Sequence, residues 1–133
     1  MSAKDDEFRD YCIELLGGMR QGEIAAKKMF GGVSFSIEGK TFAIIAFDEL
    51  WLKADDQNRA TFEKANCRIF TYEGKGGVRT MNYYTVPESA MESAALMRPW
   101  AMLGWEAALR AGAKAASKRT KRNSDKGTTK AAR

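Results

Sequence analysis

The sequence predicts an α+β fold: a mostly antiparallel sheet of about five to six strands with an N-terminal helix, a mid-chain helix and C-terminal helices. Three observations carry that prediction. Helical spacing of apolar residues is confined to the two ends and one short stretch between them. The intervening chain holds runs in which apolar and polar residues alternate. Turn residues separate successive runs at hairpin distance, which favours antiparallel neighbours.

Phe8, Tyr11, Cys12, Leu15 and Met19 recur at helical spacing and give the first helix one inward stripe. Ser2 is placed to cap it. Asp5, Asp6 and Glu7 put negative charge at the positive end of its dipole, and Gly17-Gly18 stops it. Strand signals follow from Ile24 to Phe30, then in Val33, Phe35 and Ile37, which alternate with Ser34, Ser36 and Glu38. Glu38-Gly39 turns the chain into Thr41–Phe47, whose two apolar faces suit a strand covered on both sides. Asp48-Glu49 is the expected turn into Leu50–Lys53.

Asp55 is placed as the N-cap of a short helix from Asp56 to Ala65, with Asn66 as its left-handed stop. Cys67–Tyr72 and Val78–Val86 read as strands joined by a flexible loop over residues 73–77, with Met81 and Tyr83 on one side of the second. Pro87 ends the sheet. Glu88–Met97 reads as helix, and Pro99, which lacks an N–H, suits the first position of a new helix running to Ala111. Trp100, Leu103, Ala107 and Leu109 or Arg110 are its expected inward face.

At 133 residues the chain supports one domain whose core needs no disulfide or metal. No apolar run approaches the roughly 18 to 20 residues of a membrane span, and the acidic, polar start is unlike a signal peptide, so a cytoplasmic address is expected. Cys12 and Cys67 stand far apart and in no ligand-like spacing; both read as structural. The chain has no histidine, which removes the commonest general base, the Ser/His and Cys/His pairs and most zinc sites. No enzyme, catalytic residue, metal site or cofactor is therefore predicted.

The net charge of +5 is unevenly placed. From Gly112 onward eight basic residues face Asp125 alone, so the folded body is mildly acidic. That segment has no apolar residue larger than alanine and cannot repay the entropy of ordering by itself. Residues 1–111 are read as the folded domain and 112–133 as a disordered basic tail.

The run Lys28-Met29-Phe30-Gly31-Gly32-Val33-Ser34-Phe35-Ser36-Ile37-Glu38-Gly39-Lys40 resembles the opening of the TfoX/Sxy N-terminal domain family. Phe42–Ala46, Leu50–Asp55, Phe70–Tyr72 and Met81–Glu88 continue the likeness in the same order, and Pro99-Trp100-Ala101 resembles the family's closing element. The resemblance covers residues 5–111. It implies the fold, and it implies kinship with bacterial regulators of natural competence that act with the cyclic-AMP receptor protein at a subset of its promoters. Those regulators carry a second, helical C-terminal domain; here the basic tail stands in its place. The family offers no catalytic residue to transfer.

Met29-Phe30-Gly31-Gly32 has two readings: a loop presenting Met29 and Phe30 to a partner, or a bend whose glycines supply positive φ while both side chains enter the core. The bend is the simpler. Gly74-Lys75-Gly76-Gly77 links two strands and so lacks the helix mouth of a phosphate cradle. Asp55-Asp56 is explained by a helix start. Phe47 and Trp51 are candidate partner contacts, on a sheet surface with few helices to cover it, and a homodimer is expected there. Lys114, Lys118, Arg119, Lys121 and Arg122 are candidate contacts to nucleic-acid phosphates; with no aromatics interleaved, such contacts would be nonspecific. The leading expectation is a noncatalytic protein-interaction module of bacterial regulation, its protein partner unidentified. The alternative is a nonspecific nucleic-acid accessory protein working through the tail.

Overall fold

The computed structural model describes residues 3–29 and 31–132, with side chains described within 6–29 and 31–114. The elements run α1 (Ala3–Leu16), a 3₁₀ turn (Gly17–Met19), β1 (Ala25–Met29), β2 (Gly32–Ile37), β3 (Lys40–Ala46), β4 (Glu49–Lys53), α2 (Arg59–Lys64), β5 (Ile69–Gly74), β6 (Gly77–Thr85), a second 3₁₀ segment (Glu88–Glu92) and α3 (Ala94–Ala132). All six strands form one sheet, ordered β1-β2-β3-β4-β6-β5, with every neighbouring pair antiparallel. The α+β class and its antiparallel sheet are as the sequence predicts.

Tight turns set the register. Glu38 and Gly39 (φ 52° and 79°) and then Phe47 and Asp48 (φ 53° and 61°) take left-handed conformations, the pair that matches the twist of two-residue hairpins. The second of these turns lies one residue earlier than expected. Ala46 pairs with Glu49, which ends β3 before Phe47 and lifts that ring out of the strand. The expected flexible loop at 73–77 is also replaced: Gly74 pairs with Gly77, leaving a two-residue turn at Lys75-Gly76.

One face of the sheet carries the main core. Val33, Phe35, Ile37, Phe42, Ala43, Ile45, Leu50, Leu52 and Tyr84 meet Cys12, Leu15, Leu16 and Met19 from the first helical segment, Phe62 from α2, and α3. Tyr11, placed on that stripe by its spacing, lies instead at its border, exposed, with its hydroxyl donating to the Met91 carbonyl. Phe62 stacks on Tyr84 at 5.4 Å, and Phe42 meets Trp105 edge-on at 5.9 Å.

The last helix departs most from expectation. Ser93 Oγ accepts from the Leu96 N–H at 3.1 Å, so the helix is capped there and Pro99 lies inside it. Its inward stripe is Met97, Ala101, Gly104, Trp105 and Ala108, with Ala107 also buried, while Trp100 and Leu103 flank it and Leu109 is exposed. Small residues face the sheet because the helix lies close: a Cβ on Gly104 would stand 2.9 Å from the Phe42 carbonyl oxygen. Helical backbone continues to Ala132, past the boundary that composition sets at Gly112; side chains from residue 115 onward lie outside those described.

Asp55 caps a turn rather than a helix. Its Oδ1 accepts from the N–H groups of Gln57 and Asn58 at 3.0 and 3.1 Å, and α2 begins only at Arg59. Asn66 takes the expected left-handed stop at φ 62°.

The two cysteines differ in burial. Desolvation pushes the Cys12 thiol up to about 12 and raises that of Cys67, where a hydrogen bond with Thr85 acts in the opposite direction. The thiolate is the reactive form. A disulfide reagent at about pH 8 is therefore expected to label Cys67 and spare Cys12 until denaturant is added. Equal labelling rates in a native time course would contradict this.

Candidate functional site

The second face of the sheet has no helix over it among the described residues. Ile44, Trp51, Phe70 and Tyr83 form a cluster of their own, with Ala46 and Tyr72 against it. They come from β3, β4, β5 and β6, and only the strand order brings them together. Trp51 Nε1 donates to the Ala46 carbonyl at 2.9 Å, and its ring meets Phe70 edge-on at 4.9 Å. Phe47 stacks on Phe70 at 5.6 Å, and Tyr72 lies 6.2 Å from Phe70. Two cations lie above the rings: Lys53 Nζ is 5.4 Å from the Tyr83 centroid, and the Arg68 guanidinium is 5.9 Å from that of Trp51 while pairing with Glu49.

Of the two aromatic residues proposed at a partner interface, Phe47 is 65% exposed and Trp51 only 4%. Trp51 supports the surface from beneath. Phe47 holds a left-handed conformation, a costly one for a bulky side chain, and such strain concentrates where function requires it.

The two turns carrying the candidate residues lie side by side. Because Val33 pairs with Ile45, the Met29–Gly32 bend and the Phe47-Asp48 turn share one end of the sheet. Between them is a groove of about 230 Å³ lined by Phe8, Lys28, Met29, Val33, Ile45 and Asp48, among others. Gly31 has φ 67°, and a Cβ on Gly32 would stand 2.0 Å from the Ile45 carbonyl oxygen. The glycines thus make a bend, as the simpler reading holds. Met29, however, is 42% exposed and does not enter the core; Phe30 lies outside the described residues.

The acidic pair at 55–56 is structural. Asp55 accepts two hydrogen bonds from Arg110 at 2.6 and 2.9 Å, which holds its carboxyl below the ordinary value. Lys114 borders the cleft beside this pair, and the side chains of Lys118, Arg119, Lys121 and Arg122 lie outside the described residues. At the glycine-rich turn, Arg79 donates to the Lys75 carbonyl, closing the loop on itself. Among the described residues no three of His, Cys, Asp or Glu converge as metal ligands. No described helix is long and apolar enough to cross a membrane.

Sequence reasoning missed the rings of Phe70, Tyr72 and Tyr83 as part of this surface, and the cations above it. The alternation Phe70/Tyr72 and Met81/Tyr83 was the available signal.

An antiparallel sheet with helices on one face and a cluster of aromatic rings on the other defines a small α+β domain. The chain belongs to the TfoX N-terminal domain family, whose model matches residues 14–108. It is 30% identical over 88 residues to DNA transformation protein TfoX1 of Aliivibrio fischeri, covering 66% of this chain and 39% of that protein. It is 34% identical over 68 residues to Protein Sxy of Escherichia coli, covering 51% of this chain and 32% of that protein. The match thus spans well under half the length of either relative.

Proposed function

We propose that this chain is a noncatalytic interaction module of bacterial regulation, serving DNA transformation as the name of its A. fischeri relative has it, and acting by protein contact in the cytoplasm. The observation that carries this reading is Phe47, 65% exposed at a strained turn whose next residue, Asp48, lines the Met29 groove. A large apolar side chain held outward at a cost in backbone energy is a contact residue rather than a core one. The groove places Lys28 and Asp48 at one apolar site, so the surface is self-complementary in charge, and a second copy of the chain is the partner proposed.

Sedimentation velocity at tens of micromolar tests it. The wild type is expected to sediment as a dimer, and Phe47→Ser and Met29→Ser as monomers with unchanged circular dichroism. A monomeric wild type refutes self-association. Nuclease-treated capture then decides whether another protein occupies the site: a partner held by the wild type and lost by Phe47→Ser keeps the contact reading, and capture that ignores the substitution removes it.

A further inference from the structure

Charge in the folded body is unevenly placed. Acids collect in α1, with Asp5, Asp6, Glu7, Asp10 and Glu14 against Lys4 and Arg9, and in the second 3₁₀ segment with Glu88 and Glu92, while α2 sets Arg59 and Lys64 against Glu63 and α3 sets Arg98 and Arg110 against Glu106. The uncovered face carries mostly cations. Strand pairing places Lys27 opposite Ser34, Lys53 opposite Tyr83 and Arg79 opposite Tyr72, all on the side of the ring cluster, and Arg68 lies over Trp51. The acid among them is Glu49, paired with Arg68. A body that is mildly acidic overall thus sets cations around an aromatic cluster whose Phe47 and Tyr72 rings reach solvent while Trp51, Phe70 and Tyr83 lie beneath.

We propose that this face binds single-stranded nucleic acid, with bases on the rings and phosphates on Lys53, Arg68 and Arg79. A polyanion satisfies the excess of cations, and flat bases suit the rings; an acidic peptide meets only the first condition. Phe47 and Tyr72 flank Phe70 and keep ring surface open to solvent. Lys53 and Arg68 cover Tyr83 and Trp51 through flexible side chains. A base can displace each from its ring, since an exposed cation–π contact is weaker than a stacked base, and the freed cation then meets the adjoining phosphate. Duplex DNA keeps its bases stacked inside and gains only the charge contacts, so the face discriminates by strandedness and not by sequence. This inference does not rest on the protein contact proposed above, because a chain that sediments as a monomer still meets its test.

The test is fluorescence anisotropy of the full chain with a labelled oligothymidylate of about 15 nucleotides at about 50 mM salt, with a duplex of equal length and polyglutamate as competitors. The single strand is expected to bind about tenfold more tightly than the duplex. Tyr72→Ala is expected to weaken binding about tenfold while Tyr72→Phe retains it, both melting as the wild type does. Lys53→Gln and Arg79→Gln each lower the slope of log K against log salt by about 0.7. Replacing Lys118, Arg119, Lys121 and Arg122 together by Gln lowers the slope but leaves the strand preference. The proposal falls if no complex forms or if duplex binds as well as single strand. It falls equally if the Tyr72, Lys53 and Arg79 variants match the wild type, which leaves the tail alone in contact. Polyglutamate displacing the complex as well as unlabelled oligothymidylate also overturns it, in favour of an acidic protein.

Discussion

Gly32→Ala is expected to destabilise the protein by about 3 kcal/mol, at the upper end of what forced overpacking costs. The new methyl would stand 2.0 Å from the Ile45 carbonyl oxygen and 3.6 Å from the Ala46 Cα. These are backbone atoms of the neighbouring strand, so no side-chain rotation can relieve the clash. β2 must move away from β3, and the Val33–Ile45 pair that aligns the two turns is the first to loosen. Gly31→Ala is the internal control: its Cβ meets nothing within 4 Å, and only its φ of 67° is unfavourable, worth about 1 kcal/mol. Urea unfolding with unchanged m-values reads both. Equal losses at the two positions would show that the close approach of β2 to β3 is not rigid. Because the same register brings the Met29 bend and the Phe47-Asp48 turn to one end of the sheet, Gly32→Ala should also abolish dimer formation at concentrations where Gly31→Ala does not.

How much of this was legible beforehand depends on the range of each determinant. Val33, Phe35 and Ile37 alternate with serines, and that local period is enough to place β2 and its inward face. Phe47 is different. The run from Thr41 is apolar throughout, and nothing within it marks the residue where pairing stops; the end of β3 is set by Glu49 across the turn. Pro99 misleads for a similar reason. A proline commonly opens a helix, but Ser93 already satisfies an amide of the first turn, and α3 is under way before the proline is reached. The inward face of α3 matches its expected set only at Ala107: Trp100 and Leu103 flank it and Leu109 is exposed, because the close approach of helix to sheet selects Ala101, Gly104 and Ala108. Of the candidate site, Met29 and Phe47 could be picked out as apolar residues beside turns. The ring cluster could not be assembled, since Trp51, Phe70 and Tyr83 meet only through the β4-β6-β5 order, a property of the whole chain.

Asn58 is where the other large loss is expected. Only 3% exposed, it joins three segments: its Oδ1 accepts from the Asp55 N–H at 2.8 Å, and its Nδ2 donates to the Leu103 carbonyl at 2.9 Å and the Lys53 carbonyl at 3.4 Å. Asn58→Leu keeps the volume and leaves those backbone groups without partners in a buried site. At about 1 to 3 kcal/mol for each unsatisfied group, a loss of about 3 kcal/mol is expected. The same turn holds Asp55 against Arg110, and this adds a dependence on pH. The hydrogen bonds from Arg110 lower the Asp55 carboxyl from its ordinary 3.8, against a smaller opposing effect of burial. A folded-state value below the unfolded one means that the pair stabilises fully above the unfolded value and fades as pH falls through the folded one. Arg110→Met removes the cause. The stability gap between wild type and Arg110→Met should therefore be constant near neutrality and narrow below about pH 4. In the Asn58→Leu background the gap should shrink at every pH, because the turn that presents Asp55 is no longer held to Leu103. Urea midpoints for the four proteins between about pH 2 and 7 test this, and a gap that widens on acidification would show that Arg110 stabilises α3 through some contact other than Asp55.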